Sequence, residues 1–276
     1  MTLSASKAGQ LIAEKFRREH RLGDNPIVDI DELERLVPDV DFVVIDLNDR
    51  MDGLVLRDPQ TRKTVVGIGA SSNPFRQRMT IAHEIGHFLA GDISTSAKQY
   101  ICEGNSARET KANSFARHLL CPLEGVQVLL GDSFESPREK LSQVVKKFRV
   151  SPAVALIQIG DANLLSQDEI DPLAGVSAAE LATQFGWRAE YDALAVGSRR
   201  KGASAPLIAD ATRAYIEGKI PLHAVAFARG QAVEDVREEL ESLFNEMNSS
   251  RKQISSGDSQ TSEDDELATL IEFFGE

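Results

Sequence analysis

The sequence has few of the features that stabilise secreted or membrane proteins. It contains 2 cysteines among 276 residues, too few for a disulfide framework. No apolar run approaches the roughly 18–20 residues needed to cross a bilayer. The first residues, MTLSASKAGQLIAEKF, lack the basic start and the apolar stretch of a secretory signal. We therefore expect a cytoplasmic protein in which Cys102 and Cys121 are reduced thiols.

Positive charge is also scarce. The chain has 31 Lys and Arg against 43 Asp and Glu, which gives a net charge of −12. Such a chain repels phosphate backbones, so nucleic-acid binding would need a local basic patch. The basic stretches, at residues 15–18, 146–149 and 199–201, are short and lie among acidic neighbours. We interpret them as solvated faces and expect no direct binding to DNA.

Hydrophobic periodicity predicts a small sheet surrounded by helices in the first part of the chain. Apolar positions spaced three and four apart predict helices, and short β-branched runs between turn residues predict strands. Asn-Pro at 73–74 predicts a helix start, and Gly91 predicts its end. The predicted helices are 4–20, 29–36, 74–89 and 107–120, and the predicted strands are 41–46, 53–56 and 63–68.

Strands become scarce after residue 122, where helical periodicity dominates. Residues 143–155 and 177–187 resemble helix-turn-helix units, but the second helix of the first unit, 152–159, contains no Arg or Lys. DNA-binding versions contact DNA through polar and basic side chains of that helix. We therefore favour a helical scaffold that supports the first part of the chain or docks its substrate.

The end of the chain has a different composition. Residues 248–266 are rich in Ser, Gln, Asp and Glu, which predicts disorder, and residues 267–274 are apolar again. An acidic flank beside an apolar cluster is typical of a segment that folds on binding. The tail is either a peptide that docks a partner or inhibits the protein itself, or a plain tail.

One motif has the residue types and the spacing of a catalytic metal site. Residues 80–90, TIAHEIGHFLA, place His83 and His87 four apart on a predicted helix, so both imidazoles can reach one metal ion. Glu84 is positioned beside a metal-bound water, where it can act as a general base. The apolar flanks predict a buried helix, and buried histidines need partners that a metal supplies. The alternative is a histidine pair on a half-exposed helix.

A third metal ligand is expected on the next helix. Glu109 lies 22 residues after His87, and Asn113 follows it by four residues on the same helical face, where it can hydrogen-bond a ligand histidine. Glu103 is the rival ligand, in a predicted loop. Two imidazoles and one carboxylate favour Zn²⁺, with Mn²⁺ as the alternative.

These motifs resemble those of the ImmA/IrrE metallopeptidases. The resemblance rests on RQRMTIAHEIGH at 76–87 and on ExxANxFAxxLLxP at 109–122, with support from 27–33 and 53–68. It implies an α+β fold with a minimal zincin-like, thermolysin-like core, in which the small sheet packs on the HExxH helix and on the helix that carries the glutamate ligand. It also implies His83, His87 and Glu109 as ligands and Glu84 as catalyst.

The domain organisation follows from the same resemblance and from composition. We expect a metallopeptidase domain at residues 1–125, a mostly helical region at 126–247 and an acidic tail at 248–276. Members of the family typically cleave a helix-turn-helix repressor and so release phage, mobile-element or stress-response genes. The resemblance therefore implies a zinc-dependent endopeptidase with a repressor as its protein substrate. The lack of a long apolar run leads us to expect no role at a membrane.

Two other functions stay open on the sequence alone. One is a non-catalytic module that sequesters a regulator through a structural metal site, and the other is a housekeeping peptidase. The group that stabilises the oxyanion is also open among Tyr100, Arg108 and His118. His118 lies nine residues after Glu109, about half a turn out of phase, so we expect it to face away.

Overall fold

The chain forms an α+β structure made of two compact units, Met1–Arg200 and Lys201–Glu276. It is described from a computed structural model, which covers residues 3–27, 33, 35–46, 53–57, 64–92, 106–131 and 136–254, with the backbone alone at 53–57 and 244–254. The predicted fold class is confirmed, while the predicted division at residues 125 and 247 stays a prediction. Most of the predicted helix 29–36 lies outside the described residues, as do residues 255–276 of the predicted tail.

Three short strands form the sheet of the first unit, at β1 (Val40–Ile45), β2 (Gly53–Arg57) and β3 (Thr64–Gly69). β2 and β3 form the predicted antiparallel hairpin, with Gly53 opposite Ile68. β1 runs parallel to β3, with Val40 opposite Thr64. Because Phe42, Val66 and Ile68 are almost fully buried, the sheet contributes one face to the hydrophobic core.

Three helices pack beside the sheet and position the site: α1 (Ala5–Glu19), α2 (Pro74–Leu89) and α3 (Ala107–Leu120). The sequence predicted the bounds of α2 and α3 correctly. Asn73 begins α2, because its Oδ1 accepts a hydrogen bond from the Phe75 amide at 3.1 Å. Ser106 begins α3 in the same way, with its Oγ accepting from the Glu109 amide at 3.2 Å. Both caps fix where the functional side chains fall on their helices.

Two glycines allow α3 to pack closely against both α1 and α2. A Cβ at Gly9 of α1 would lie 2.2 Å from the carbonyl oxygen of Lys111, a backbone atom that cannot rotate away. A Cβ at Gly86 of α2 would lie 2.9 Å from Phe115 Cδ1 and 3.3 Å from Ala112 Cα. The spacing between the three helices therefore depends on the absence of side chains at these two positions.

The rest of the first unit is helical and shares the same hydrophobic core, which extends from Ala13 to Trp187. Trp187 Nε1 donates a hydrogen bond to Ser142 Oγ at 3.0 Å within this core. The bounds are α4 Leu123–Leu130, α5 Pro137–Phe148, α6 Pro152–Asp161, α7 Gln167–Ile170 with a 3₁₀ turn at Asp171–Leu173, α8 Ala178–Gln184 and α9 Arg188–Gly197. The helix-turn-helix-like segments of the sequence, 143–155 and 177–187, fall on α5 with α6 and on α8, whereas α4, α7 and α9 were missed.

The end of α9 returns to the start of α2. Ser198 Oγ donates to the Ser71 carbonyl at 2.7 Å, and the Ser71 amide donates back to the Ser198 carbonyl at 3.1 Å. The rings of Phe75 and Tyr191 meet edge to face with their centroids 5.7 Å apart. The helical region up to residue 200 thus supports the N-terminal end of the helix that carries the HExxH motif.

The second unit has its own small core, formed around Val225, Val236 and Leu240. Its elements are β4 Gly202–Ala203, α10 Ala205–Ile216, α11 Leu222–Arg229 and α12 Val233–Ile254. α12 continues past residue 248, where the sequence analysis placed the start of the tail. Among the described residues, no helix combines the length and the apolar character required to span a membrane.

The glycine contacts make a prediction about stability. Gly9→Ala gains about 1 kcal/mol of helix propensity, but its Cβ meets the Lys111 carbonyl and must push α1 from α3, which costs typically 1–3 kcal/mol for overpacking. We expect a net loss of stability, measured as a lower urea midpoint. Gly197→Ala is the matched control, because its Cβ would meet nothing within 4 Å and should stabilise slightly. Equal midpoints for the two variants would contradict the packing argument.

Candidate metal centre

α2 brings the three residues of the motif onto its buried face. His83, Glu84 and His87 are exposed to only 6%, 8% and 9%, so all three lie inside the protein. Buried polar groups cost free energy unless they have partners. Since the same helix also buries Ile81 and Ile85, the motif lies on a buried part of the helix rather than on a free surface.

The structure brings His83, His87 and Glu109 together. His83 Nε2 lies 3.0 Å from His87 Nε2 and 3.1 Å from Glu109 Oε2. His87 Nε2 lies 3.2 Å from Glu109 Oε1. The three residues form a group of potential metal ligands whose ligand atoms all lie within 4.8 Å of one another. The two helices α2 and α3 thus supply one ligand set.

The separations fit a tetrahedral zinc site. Zinc binds imidazole nitrogen at about 2.0–2.1 Å, so two ligand atoms at the tetrahedral angle lie about 3.3 Å apart. The two imidazole nitrogens lie 3.0 Å apart, and they lie 3.1 and 3.2 Å from the Oε2 and Oε1 oxygens of Glu109, so each separation is close to that length. Within the described part of the chain the cluster contains three ligands, the number that a catalytic zinc site takes from the protein. The residues present therefore fit a catalytic type of metal site.

The hydrogen bonding of His83 also fits a metal ligand. Its Nδ1 lies 2.9 Å from Asn113 Oδ1, an oxygen that can only accept, so the Nδ1 carries the proton in the neutral ring. Nε2 then presents a lone pair to a carboxylate oxygen and to a second imidazole. A cation bound by these acceptors would relieve their mutual repulsion. Asn113 thus contacts the ring of His83 at the nitrogen that does not face the cluster.

A second supporting oxygen was missed by the sequence analysis. Asp92 Oδ2 lies 3.7 Å from His87 Nδ1, on the side of the ring away from the cluster. The end of α2 explains this position: Gly91 has φ +69°, and the Asp92 amide donates to the His87 carbonyl at 3.0 Å. This is a Schellman turn, which returns the chain over the last helical turn. Gly91 followed by an acidic residue was the available signal.

Electrostatics separate the roles of the titratable groups. Burial, aided by the charge of Glu109, raises the pKa of Glu84 from 4.5 to about 7. Burial and the neighbouring His83 lower the pKa of His87, which favours the neutral imidazole that a metal requires. A carboxylate with a pKa near neutral suits a group that accepts and returns a proton at neutral pH.

The other candidate residues lie elsewhere or outside the described residues. His118 Nδ1 lies 3.4 Å from Gln158 Nε2 of α6, so the ring packs against the helical region as expected. Cys121 is a free, fully buried thiol whose pKa is raised by burial. The rival ligand Glu103 and the oxyanion candidate Tyr100 fall outside the described residues.

Arg108 is the remaining oxyanion candidate, and it contacts the end of α2. Its Nη2 donates to the Asp92 carbonyl, and its Nε lies 3.7 Å from Asp92 Oδ1. The side chain remains half exposed. Its contacts thus join α3 to the turn after α2, beside the ligand Glu109.

The raised pKa of Glu84 makes a prediction about the chelator-treated protein. The folded state holds this proton more tightly than the unfolded state, so stability falls as pH rises from about 4.5 to about 7. The fall amounts to about 3 kcal/mol at most, since one pKa unit is about 1.4 kcal/mol. Glu84→Gln removes the titrating carboxyl and therefore this pH-dependent fall. The variant should be more stable than the wild type at pH 8, and its stability should approach that of the wild type near pH 4.5.

Urea unfolding of both proteins at several pH values measures this difference. Glu124→Gln, which changes an exposed glutamate on α4, should show no such pH dependence. A stability difference between wild type and Glu84→Gln that does not change with pH would contradict the electrostatic account.

A comparison with known protein families agrees with the interpretation of the cluster as a metal centre. A search of curated proteins gives no significant match. Residues 38–159 match the family model Peptidase_M78, described as the IrrE N-terminal-like domain. The match contains both ligand-bearing helices, and it confirms the resemblance to the ImmA/IrrE metallopeptidases. Residues 38–159 of this chain are therefore similar to the IrrE N-terminal-like domain of the Peptidase_M78 family.

Proposed function

We propose that the protein is a zinc-dependent endopeptidase that cleaves a helix-turn-helix transcriptional repressor. The observation that carries the proposal is the triangle of His83, His87 and Glu109 ligand atoms, with the buried Glu84 one residue from the first ligand. A structural zinc site is normally closed by a fourth protein ligand and has no use for an additional carboxylate. A three-ligand site beside a buried acid supports hydrolysis.

The donor set favours zinc among the divalent ions. Two imidazoles and one carboxylate form a typical catalytic zinc set, whereas manganese prefers sites rich in oxygen ligands. Manganese is the alternative that metal analysis would reveal. A bound divalent ion supplies a Lewis acid that polarises the scissile carbonyl and acidifies water.

The chain's own residues then perform the proton transfers. Glu84 accepts the proton of the attacking water and passes it to the amine nitrogen that leaves when the C–N bond breaks. Its raised pKa suits both steps, because the group must be a base first and an acid afterwards. Asn113 holds the proton of His83 on Nδ1 and so keeps Nε2 directed at the cluster.

The sheet offers a place for an extended substrate. In the order β2-β3-β1, β2 lies at one end and pairs along one side with β3. Extended peptides bind such edges by adding a strand through backbone hydrogen bonds. We propose that the segment of the repressor that is cut binds along this edge.

In this proposal the helical region is a scaffold for the peptidase domain and does not bind DNA. α6 occupies the place of a recognition helix, but it packs Ala155, Leu156 and Ile159 into the core. Its exposed positions are Ala153, Ile157 and Asp161, none of them basic. Phosphate contacts come mainly from Arg and Lys, so this helix face is poorly suited to DNA. The C-terminal tail remains a candidate for docking a partner.

Cleavage of a repressor tests the proposal. We would incubate the zinc-loaded wild type and Glu84→Gln with a helix-turn-helix regulator encoded near this chain's gene. The wild type should make a discrete cut, and loss of the general base should lower the rate about 10²–10⁴-fold. Mass spectrometry of the products measures the cut, and Glu124→Gln should cleave at the wild-type rate.

The other outcomes separate the alternatives. Binding of the regulator by wild type and Glu84→Gln alike, without any cut, would contradict peptidase function and favour a sequestering module. Cleavage of unrelated unfolded proteins at similar rates would indicate a housekeeping peptidase. An equal rate for Glu84→Gln and the wild type would overturn the role of Glu84.

A further inference from the structure

The two ligand imidazoles are supported differently on the side away from the cluster. The Nδ1 of His83 faces a neutral amide oxygen, that of Asn113, at 2.9 Å. The Nδ1 of His87 faces a charged carboxylate, that of Asp92, at 3.7 Å. The second distance is longer than a hydrogen bond, so the carboxylate acts on the ring through its charge.

Asp92 is held in place by groups from both ligand-bearing helices. Its backbone is fixed by the Schellman turn, where its amide donates to the His87 carbonyl at 3.0 Å. Its carboxylate is fixed by Lys111 of α3, whose Nζ lies 3.1 Å from Oδ2. Arg108 of α3 donates to its carbonyl oxygen. With a side chain only 15% exposed, Asp92 is screened less by water than a surface acid.

Asp92 thus links the two ligand-bearing helices, α2 and α3, at a position outside the ligand cluster. Lys111 and Arg108 flank Glu109, the ligand that α3 contributes. The Asp92 side chain meets the ring of the last ligand on α2 and the cations beside the ligand on α3. A change at Asp92 is therefore expected to alter the orientation of one ligand directly and the spacing of the helices indirectly.

The charge of Asp92 also affects the chemistry of the ring. A carboxylate beside Nδ1 favours the tautomer with the proton on that nitrogen and leaves the Nε2 lone pair for a metal. It also makes the imidazole a stronger donor to the metal, as carboxylate–histidine pairs around zinc do.

We propose that Asp92 is a positioning residue for His87, held by Lys111, and that it sets how tightly the site retains its metal. This inference rests on the metal site of the proposed function but not on peptidase activity. Asp92 contacts the ligand rather than the reacting atoms, so its effect should appear first in metal affinity.

Zinc affinity measured by competition with a chromophoric chelator tests this directly. Asp92→Ala should raise the zinc Kd about 10–100-fold, the usual effect of removing a supporting partner of a ligand histidine. Asp92→Asn keeps the size of the side chain and loses its charge, so a smaller increase is expected. Lys111→Met keeps the apolar stem and frees the carboxylate, which should weaken binding in the same direction.

A matched control and a spectroscopic signal separate positioning from a general loss of structure. Asp161→Asn removes an acid that pairs with Arg117 at 3.6 Å, away from the cluster, and should leave the zinc Kd unchanged. In the cobalt-substituted protein, the visible bands should shift in Asp92→Asn and not in Asp161→Asn, because they report the ligand field. Urea unfolding in chelator shows whether each variant is folded.

The outcomes distinguish the two proposals. Tight zinc binding by the wild type with unchanged Kd and cobalt bands in folded Asp92→Asn would overturn the role of Asp92 alone. A wild type that binds no zinc would overturn the metal site and this inference with it. A raised zinc Kd in Asp92→Asn, together with an unchanged zinc Kd in Asp161→Asn, would support the proposal.

Discussion

The close packing of α2 against α3 is the constraint on which the site depends. The ligand triangle needs atoms from both helices within about 3.3 Å of one another, the edge of a tetrahedral zinc site. Gly86 allows this approach, since a Cβ there would meet Phe115 at 2.9 Å. Gly9 lets α1 support α3 from another side, where a Cβ would meet the Lys111 carbonyl at 2.2 Å. The distance between the helices thus determines the distances between the ligand atoms.

The buried acceptor groups of the site favour the binding of a cation. Glu84 and Glu109 lie close enough for one to raise the pKa of the other, and two imidazoles share the same pocket. Such a group of acceptors is costly to bury unless it is paired. The oxygens of Asn113 and Asp92 lie behind the imidazoles and leave the inward nitrogens for an ion.

The sequence predicted the site helices well because their ends carry local signals. Asn73 with its following proline, Gly91 and Pro122 mark ends that depend on few neighbours. α4 and α9 were missed because neither begins with a side-chain cap: α4 starts after Pro122, and α9 after Trp187. The parallel pairing of β1 with β3 joins segments that are distant along the chain, so it depends on tertiary packing. Asp92 was missed because its position depends on a turn geometry rather than on spacing.

The central claim is that one metal ion is held by two imidazoles and one carboxylate. Zinc-edge X-ray absorption on the zinc-loaded protein tests it most directly. The account predicts one ion per chain with imidazole nitrogens at about 2.0–2.1 Å, a carboxylate oxygen at about 2.0–2.2 Å and no sulfur. A sulfur shell at about 2.3 Å, or zinc without imidazole scattering, would contradict it.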